Sequence, residues 1–206
     1  MTPRTGPARA RVPRTERETQ MLDVAEQVFS ARGFQAATMD EIAERVGVTK
    51  PLIYDYFGSK EGLLAATIGR ARRELLSSLI DVWEALPDEA ARDRLHAVVL
   101  AFFRYLDSHD DTYALVRSEG GLIGEAAVSI ERVRQQTAKA LAEAITSLPQ
   151  FQHAPAAQLL MMAEIIIGGI ERLAVVRHVT PGITAEAATE LVVATAWDGL
   201  ASLAQP

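Results

Sequence analysis

Apolar positions recur at helical spacing along nearly the whole chain. Met21, Leu22, Ala25, Val28 and Phe29 mark a first helix, which Gly33 is placed to stop. Thr38 with Glu41 three residues on makes a capping box for a second helix, whose inner side is Ile42, Ala43 and Val46 before Gly47. A third begins near Thr49, whose hydroxyl can cap it, with Pro51 in the first turn where no intrahelical N–H bond is lost. Longer stripes follow, predicting helices over about 60–86, 92–108, 125–148, 155–178 and 184–203, with a short one over 110–118. The first of these carries Leu63, Leu64, Ile68, Leu75, Leu76 and Ile80; the second carries Leu95, Val98, Val99, Phe102 and Leu106. Strand alternation and fixed-period repeats are both missing from the pattern. The expected fold is all-α with about nine helices.

One stretch breaks the amphipathic rule. Leu159, Leu160, Met161, Met162, Ile165, Ile166, Ile167 and Ile170 surround a helix with apolar side chains, so it needs partners on more than one side. The last helix, with Leu191, Val192, Trp197 and Leu200, has a similarly broad apolar face. A central core helix is the plainer explanation; a second subunit against the outer side is the one adopted. The expected homodimer interface comprises Ile166, Gly169, Ile170, Leu173, Val193, Trp197 and Leu200, with Gly168 and Gly169 allowing close approach.

Composition narrows the chemistry. The chain is 49% hydrophobic and 23% charged, an ordinary globular balance, and it holds no cysteine, which excludes disulfides and thiolate ligands. The first residues have no apolar core of a secretory signal, and no apolar run approaches the roughly 18 residues of a membrane span. A cytoplasmic protein without membrane association is expected. The net charge is −6, yet Arg4, Arg9, Arg11, Arg14 and Arg17 cluster near the start against Glu16 alone, while acids outnumber bases after residue 60. Such asymmetry directs a polyanion to one end of a molecule. The four histidines are dispersed, no Ser, His and acid grouping can be assembled, and there is no glycine-rich phosphate loop. Neither an enzyme, a metal nor a cofactor is expected.

The densest chemistry lies in residues 38–60, TMDEIAERVGVTKPLIYDYFGSK. Gly47 permits a tight turn between two short helices, and the second helix is short enough for its N-terminal end to enter a major groove. Lys50 can donate to a guanine edge or a phosphate, and Pro51 and Leu52 offer apolar contact to a thymine methyl. Tyr54 and Tyr56 carry hydroxyls suited to phosphate oxygens, and Lys60 adds a charge at the start of the next helix. Asp55 is the dissenting residue, since a carboxylate repels phosphate.

Residues 16–64, above all VGVTKPLIYDYFGSKEGLL, resemble the N-terminal domain of the TetR (tetracycline-repressor-like) family of bacterial regulators. The resemblance implies a helix-turn-helix domain over 16–58 and a ligand-binding and dimerisation domain over 59–206, and the Arg-rich stretch over 1–15 is expected to be a flexible arm ahead of them. Carried over by position, its DNA contacts are Thr38, Thr49, Lys50, Pro51, Leu52, Tyr54, Tyr56 and Lys60. It implies a homodimer that represses from a palindromic operator in double-stranded DNA and is released by a small-molecule effector of unknown identity. An architectural protein or an activator of the same fold is the alternative. The pocket is expected around Trp83, Phe102, Phe103, Leu106, Tyr113, Arg117, Met161, Glu164 and Ile165, with Glu164 as the polar interruption of an apolar helix.

Overall fold

The computed structural model describes residues 13–86, 91–109 and 125–203. Among them are eight α-helices, one short 3-10 turn at Pro149–Phe151 and no strand. The helices are α1 (Arg14–Ala36), α2 (Met39–Val46), α3 (Lys50–Phe57), α4 (Lys60–Glu84), α5 (Ala91–Ser108), α6 (Glu125–Thr146), α7 (Ala156–Val179) and α8 (Ala185–Leu203). The helix expected over 110–118, with Tyr113 and Arg117, lies outside the described residues. None of the described helices is long and apolar enough to cross a membrane.

Local chemistry accounts for the boundaries of the first four helices. Gly33 (φ 72°, ψ 163°) breaks α1, and only a last short turn continues to Ala36. The Thr38 hydroxyl accepts from the Glu41 amide at 3.2 Å, worth about 1 kcal/mol for such a cap. The other half of the expected capping box is replaced: the Glu41 carboxylate accepts from Arg32 and Arg45 instead. Thr49 occupies the N-cap position of α3 without a side-chain cap bond, contrary to expectation; its carbonyl accepts from Leu52. Pro51 makes that loss tolerable, because one amide of the first turn needs no partner. Ser59 caps α4 through the Gly62 amide at 2.9 Å.

Two separate buried clusters form. One gathers Met21, Leu22, Ala25, Val28, Phe29, Ile42, Ala43 and Ile53 with Leu63, Leu64 and Ile68 of α4. The other joins α5 to α8 around Phe103, Phe151, Leu159, Ile166 and Val193, with Trp83 near the end of α4 packed against it. α4 therefore belongs to both, and it packs against α1, α3, α5 and α6.

Gly62 sets how α3 meets α4. A Cβ at this position would overlap the Phe57 carbonyl oxygen, a backbone atom at the end of α3 that cannot rotate away. Replacing Gly62 with Ala must therefore push the two helices apart. The expected cost is about 1–3 kcal/mol, the range for overpacked sites. A thermal melt reads it as a loss of several degrees, accompanied by weaker DNA binding. An unchanged melting temperature would contradict the close approach.

Candidate nucleic-acid interface and apolar cavity

α2, the Gly47 turn and α3 form the helix-turn-helix. Gly47 takes φ 76° and its amide reaches the carbonyls of Ala43 and Glu44, while Val48 also bonds back to Ala43. This closes α2 within one residue and lets α3 leave at once. Ile42 and Ile53 are fully buried between the helices and Ala43 nearly so, with Val48 half-buried beside them.

Burial orders the residues of α3. Thr49, Pro51, Tyr54 and Asp55 are exposed, whereas Leu52 and Tyr56 lie half-buried with one side against the core of the head. Three of the four offer a hydroxyl, an apolar ring and a phenol to a groove, while the Asp55 carboxylate is exposed beside them and would repel a phosphate. Tyr56 is not isolated: the Arg14 guanidinium sits 4.8 Å over its ring, so the start of α1 lies beside the reading helix. Thr38 is exposed at the start of α2. Lys60 lies 4.6 Å over the Phe34 ring and donates to the Gln35 carbonyl at 3.4 Å, which ties the start of α4 to the last turn of α1.

Lys50 shows a contact that helical spacing alone does not reveal. Its ammonium donates to Asp40 Oδ2 at 2.9 Å, and this hydrogen bond, with the charge of Asp40, raises its pKa above the ordinary lysine value. The amine stays protonated, as base or phosphate contact requires. Both partners are solvent-facing, so the pair is a weak one that DNA can displace.

Behind the head, Arg70 of α4 fastens α1. It donates to Asp23 at 2.6 Å and to Glu26 at 2.9 Å, with Glu74 at 3.7 Å on its own helix. Burial lowers the pKa of Arg70, but the Asp23 and Glu26 hydrogen bonds outweigh it and the net shift is upward. Arg72, two residues on, points to nearly the opposite side, because two helical steps rotate by roughly 200°. It pairs with Glu171 of α7 at 3.2 Å.

Arg72 also borders a half-open cavity of about 550 Å³ lined by α4, α5, α6 and α7. The walls are mainly apolar, with Leu75, Leu79, Trp83, Val98, Phe102, Leu141 and Ile167 among them; Arg72, Glu84, Arg94, Thr137, Ser147 and Glu171 supply polar groups. Arg94 is buried, donates to the Leu86 carbonyl and lies 5.3 Å over the Trp83 ring.

The expected pocket residues divide. Trp83 and Phe102 line the cavity. Phe103 and Leu106 are buried in the core but do not line it, and Arg177 covers the Phe103 ring at 5.0 Å. Met161 and Ile165 point outward, 58% and 67% exposed, and half-buried Glu164 does not border the cavity. Ile166 and Ile170, expected at a subunit interface, instead line the cavity. Val193 is also fully buried within the protomer, and Trp197 packs edge-on to Phe151 at 6.3 Å. Leu173 is half-buried against the same core; Gly169 is exposed, and the Leu200 side chain lies outside the described set. The reason for these exchanges is physical. A helix apolar on every side gives no periodicity from which to choose its inner face.

Comparison with known proteins agrees with this arrangement. The family of bacterial regulatory proteins named tetR matches residues 21–67, and the tetracyclin repressor-like C-terminal domain matches residues 91–199. The transcriptional activator FasR of Mycolicibacterium smegmatis is 42% identical over 106 residues, covering 52% of this chain and 48% of FasR. The chain thus spans about half the length of the curated relatives it matches. A TetR-like regulator from Rhodococcus sp. RHA1 is 30% identical, covers 93% of this chain and 99% of its own, and superposes with a TM-score of 0.66. FadR from Bacillus subtilis, solved in complex with stearoyl-CoA, shares the fold at 17% identity and TM-score 0.74, covering 88% of this chain and 98% of its own.

Lys50→Ala separates a DNA-contacting lysine from one that serves only Asp40. If Lys50 meets a phosphate, the variant loses affinity and the slope of log affinity against log salt falls by about one. Fluorescence anisotropy over a salt series measures it. An unchanged slope and affinity would remove Lys50 from the interface.

Proposed function

Because the chain belongs to the tetR family of bacterial regulatory proteins, we propose that it is a DNA-binding transcriptional regulator that works as a homodimer and answers to a small molecule. The observation that carries this reading is the exposed face of α3, presented on a closed three-helix head whose fourth helix runs back along an apolar cavity. Thr38, Thr49, Lys50, Pro51, Leu52, Tyr54, Tyr56 and Lys60 are the proposed contacts. Thr49, Pro51 and Tyr54 face the groove; Tyr56 and Lys60 lie at its margin, already engaged by Arg14 and Phe34. The reading head is assigned to residues 16–58 and the effector and dimer region to 59–206, with α4 serving both.

Repression by occupying an operator is the primary reading, with release when the effector binds. Activation is the second, supported by the name of FasR as an activator. The effector is proposed to be an apolar, chain-like molecule. Residues Arg72 to Trp83 border the cavity along α4, a length of roughly 16 Å at the helical rise. The stearoyl-CoA held by the Bacillus subtilis FadR supports the same shape.

The dimer face is reassigned to the outer side of α7 and α8. Leu160, Met161 and Ile165 on α7 and Leu191 on α8 stand exposed, and the two helices pack together, so the residues can form one apolar surface. A two-fold dimer would place two identical heads on a palindrome, one helical turn or its multiples apart.

The test uses the full chain and the DNA upstream of its own gene. The wild type should sediment as a dimer and bind a palindromic fragment there. Ile165→Glu should sediment as a monomer, keep its helical circular dichroism and lose most of that affinity. A dimeric variant would refute the α7–α8 face, and a wild type binding no DNA fragment would refute the regulator reading.

A further inference from the structure

Both ends of the cavity carry a guanidinium, but Arg94 beside Trp83 is engaged by the Leu86 carbonyl and the Trp83 ring, whereas the end nearest the head holds a cluster of ion pairs. Two guanidinium groups from different helices converge there on one carboxylate. Glu171 of α7 accepts from Arg72 of α4 at 3.2 Å through one oxygen and from Arg134 of α6 at 2.7 Å through the other. The side chains of Arg72 and Glu171 are only 12% and 19% exposed, and both border the cavity. The Nε of Arg134 is buried and makes no hydrogen bond among the described residues. Within this trio bases outnumber acids by two to one, beside apolar walls where charge interactions are strengthened.

We propose that this trio is the head-group site of the effector, and that the effector is an amphipathic anion: a single apolar chain ending in a carboxylate or an acidic ester. The inference rests on the effector cavity described above and adds its polarity and direction. The chain lies along α4 toward Trp83, and the anionic head meets Arg72. A guanidinium presents donors in a planar fork suited to carboxylate or phosphate oxygens, and an anion there completes what Glu171 supplies alone. Glu171 is then the head group's competitor for Arg72. A cationic head would meet the Arg72 guanidinium, and a neutral head would leave the ion pair untouched.

The competition gives a test in which two substitutions that break the same ion pair act in opposite directions. Dodecanoate and the uncharged dodecanol are titrated into the full-length protein by calorimetry. The wild type should bind dodecanoate more tightly by at least about tenfold, the scale of one charged hydrogen bond. Arg72→Gln should bring the two probes to parity, while Glu171→Gln should tighten dodecanoate and leave dodecanol unchanged. Arg72→Lys, which keeps the charge, should retain a preference for the anion and guards against a misfolded Gln variant. Equal affinity for the two probes in the wild type would overturn the head-group assignment while the cavity reading stands. Shifts of dodecanoate affinity in one direction for both Gln variants would do the same, because a purely structural ion pair predicts them. Binding of neither probe would overturn the head group and the effector cavity together.

Discussion

One helix has to satisfy two cores at once, and that requirement organises the molecule. α4 runs unbroken from Lys60 to Glu84. Its first turns bury Leu63, Leu64 and Ile68 in the head, and its last turns carry Trp83 to the larger core. The head is held to it at close range, because Gly62 brings its backbone against the carbonyl end of α3. A side chain there would separate the reading helix from its support. Arg70 adds a second fastening to α1 through Asp23 and Glu26.

The same helix forms a wall of the cavity. Arg70 and Arg72 lie two positions apart, one fixed to the head and the other to α7. In the proposed function, a ligand that alters the hold of Glu171 on Arg72 acts on the rod that also carries the head. No long relay is required, since a stiff helix transmits a shift at one end to the other. The ligand acts only through the difference in its affinity for the two positions of α4.

The local grammar of the head was legible in the sequence because each device is short-range. Thr38 and Glu41 announce a cap, Gly47 a left-handed turn, and Pro51 a helix start; the cap bond of Thr49 and the return half of the Thr38–Glu41 box failed to form. Contacts between distant residues were not legible. Asp40 reaches Lys50 across the turn, and Arg72, Arg134 and Glu171 converge from three helices. A helical plot shows that Arg70 and Arg72 diverge, but not what each will meet. The sequence also left α7 undetermined, since LLMMAEIIIGGI is apolar on all sides; packing alone turned Ile166 and Ile170 inward and Met161 and Ile165 outward.

Coupling between cavity and head is a thermodynamic quantity. Affinity for the DNA upstream of the protein's gene, measured by anisotropy with and without saturating dodecanoate, reads it directly. A change of about five- to 150-fold is expected, the span of a coupling energy of about 1–3 kcal/mol, with the same factor in dodecanoate affinity when DNA is bound. Dodecanoate that binds the protein but leaves its DNA affinity unchanged would show that cavity and head are uncoupled.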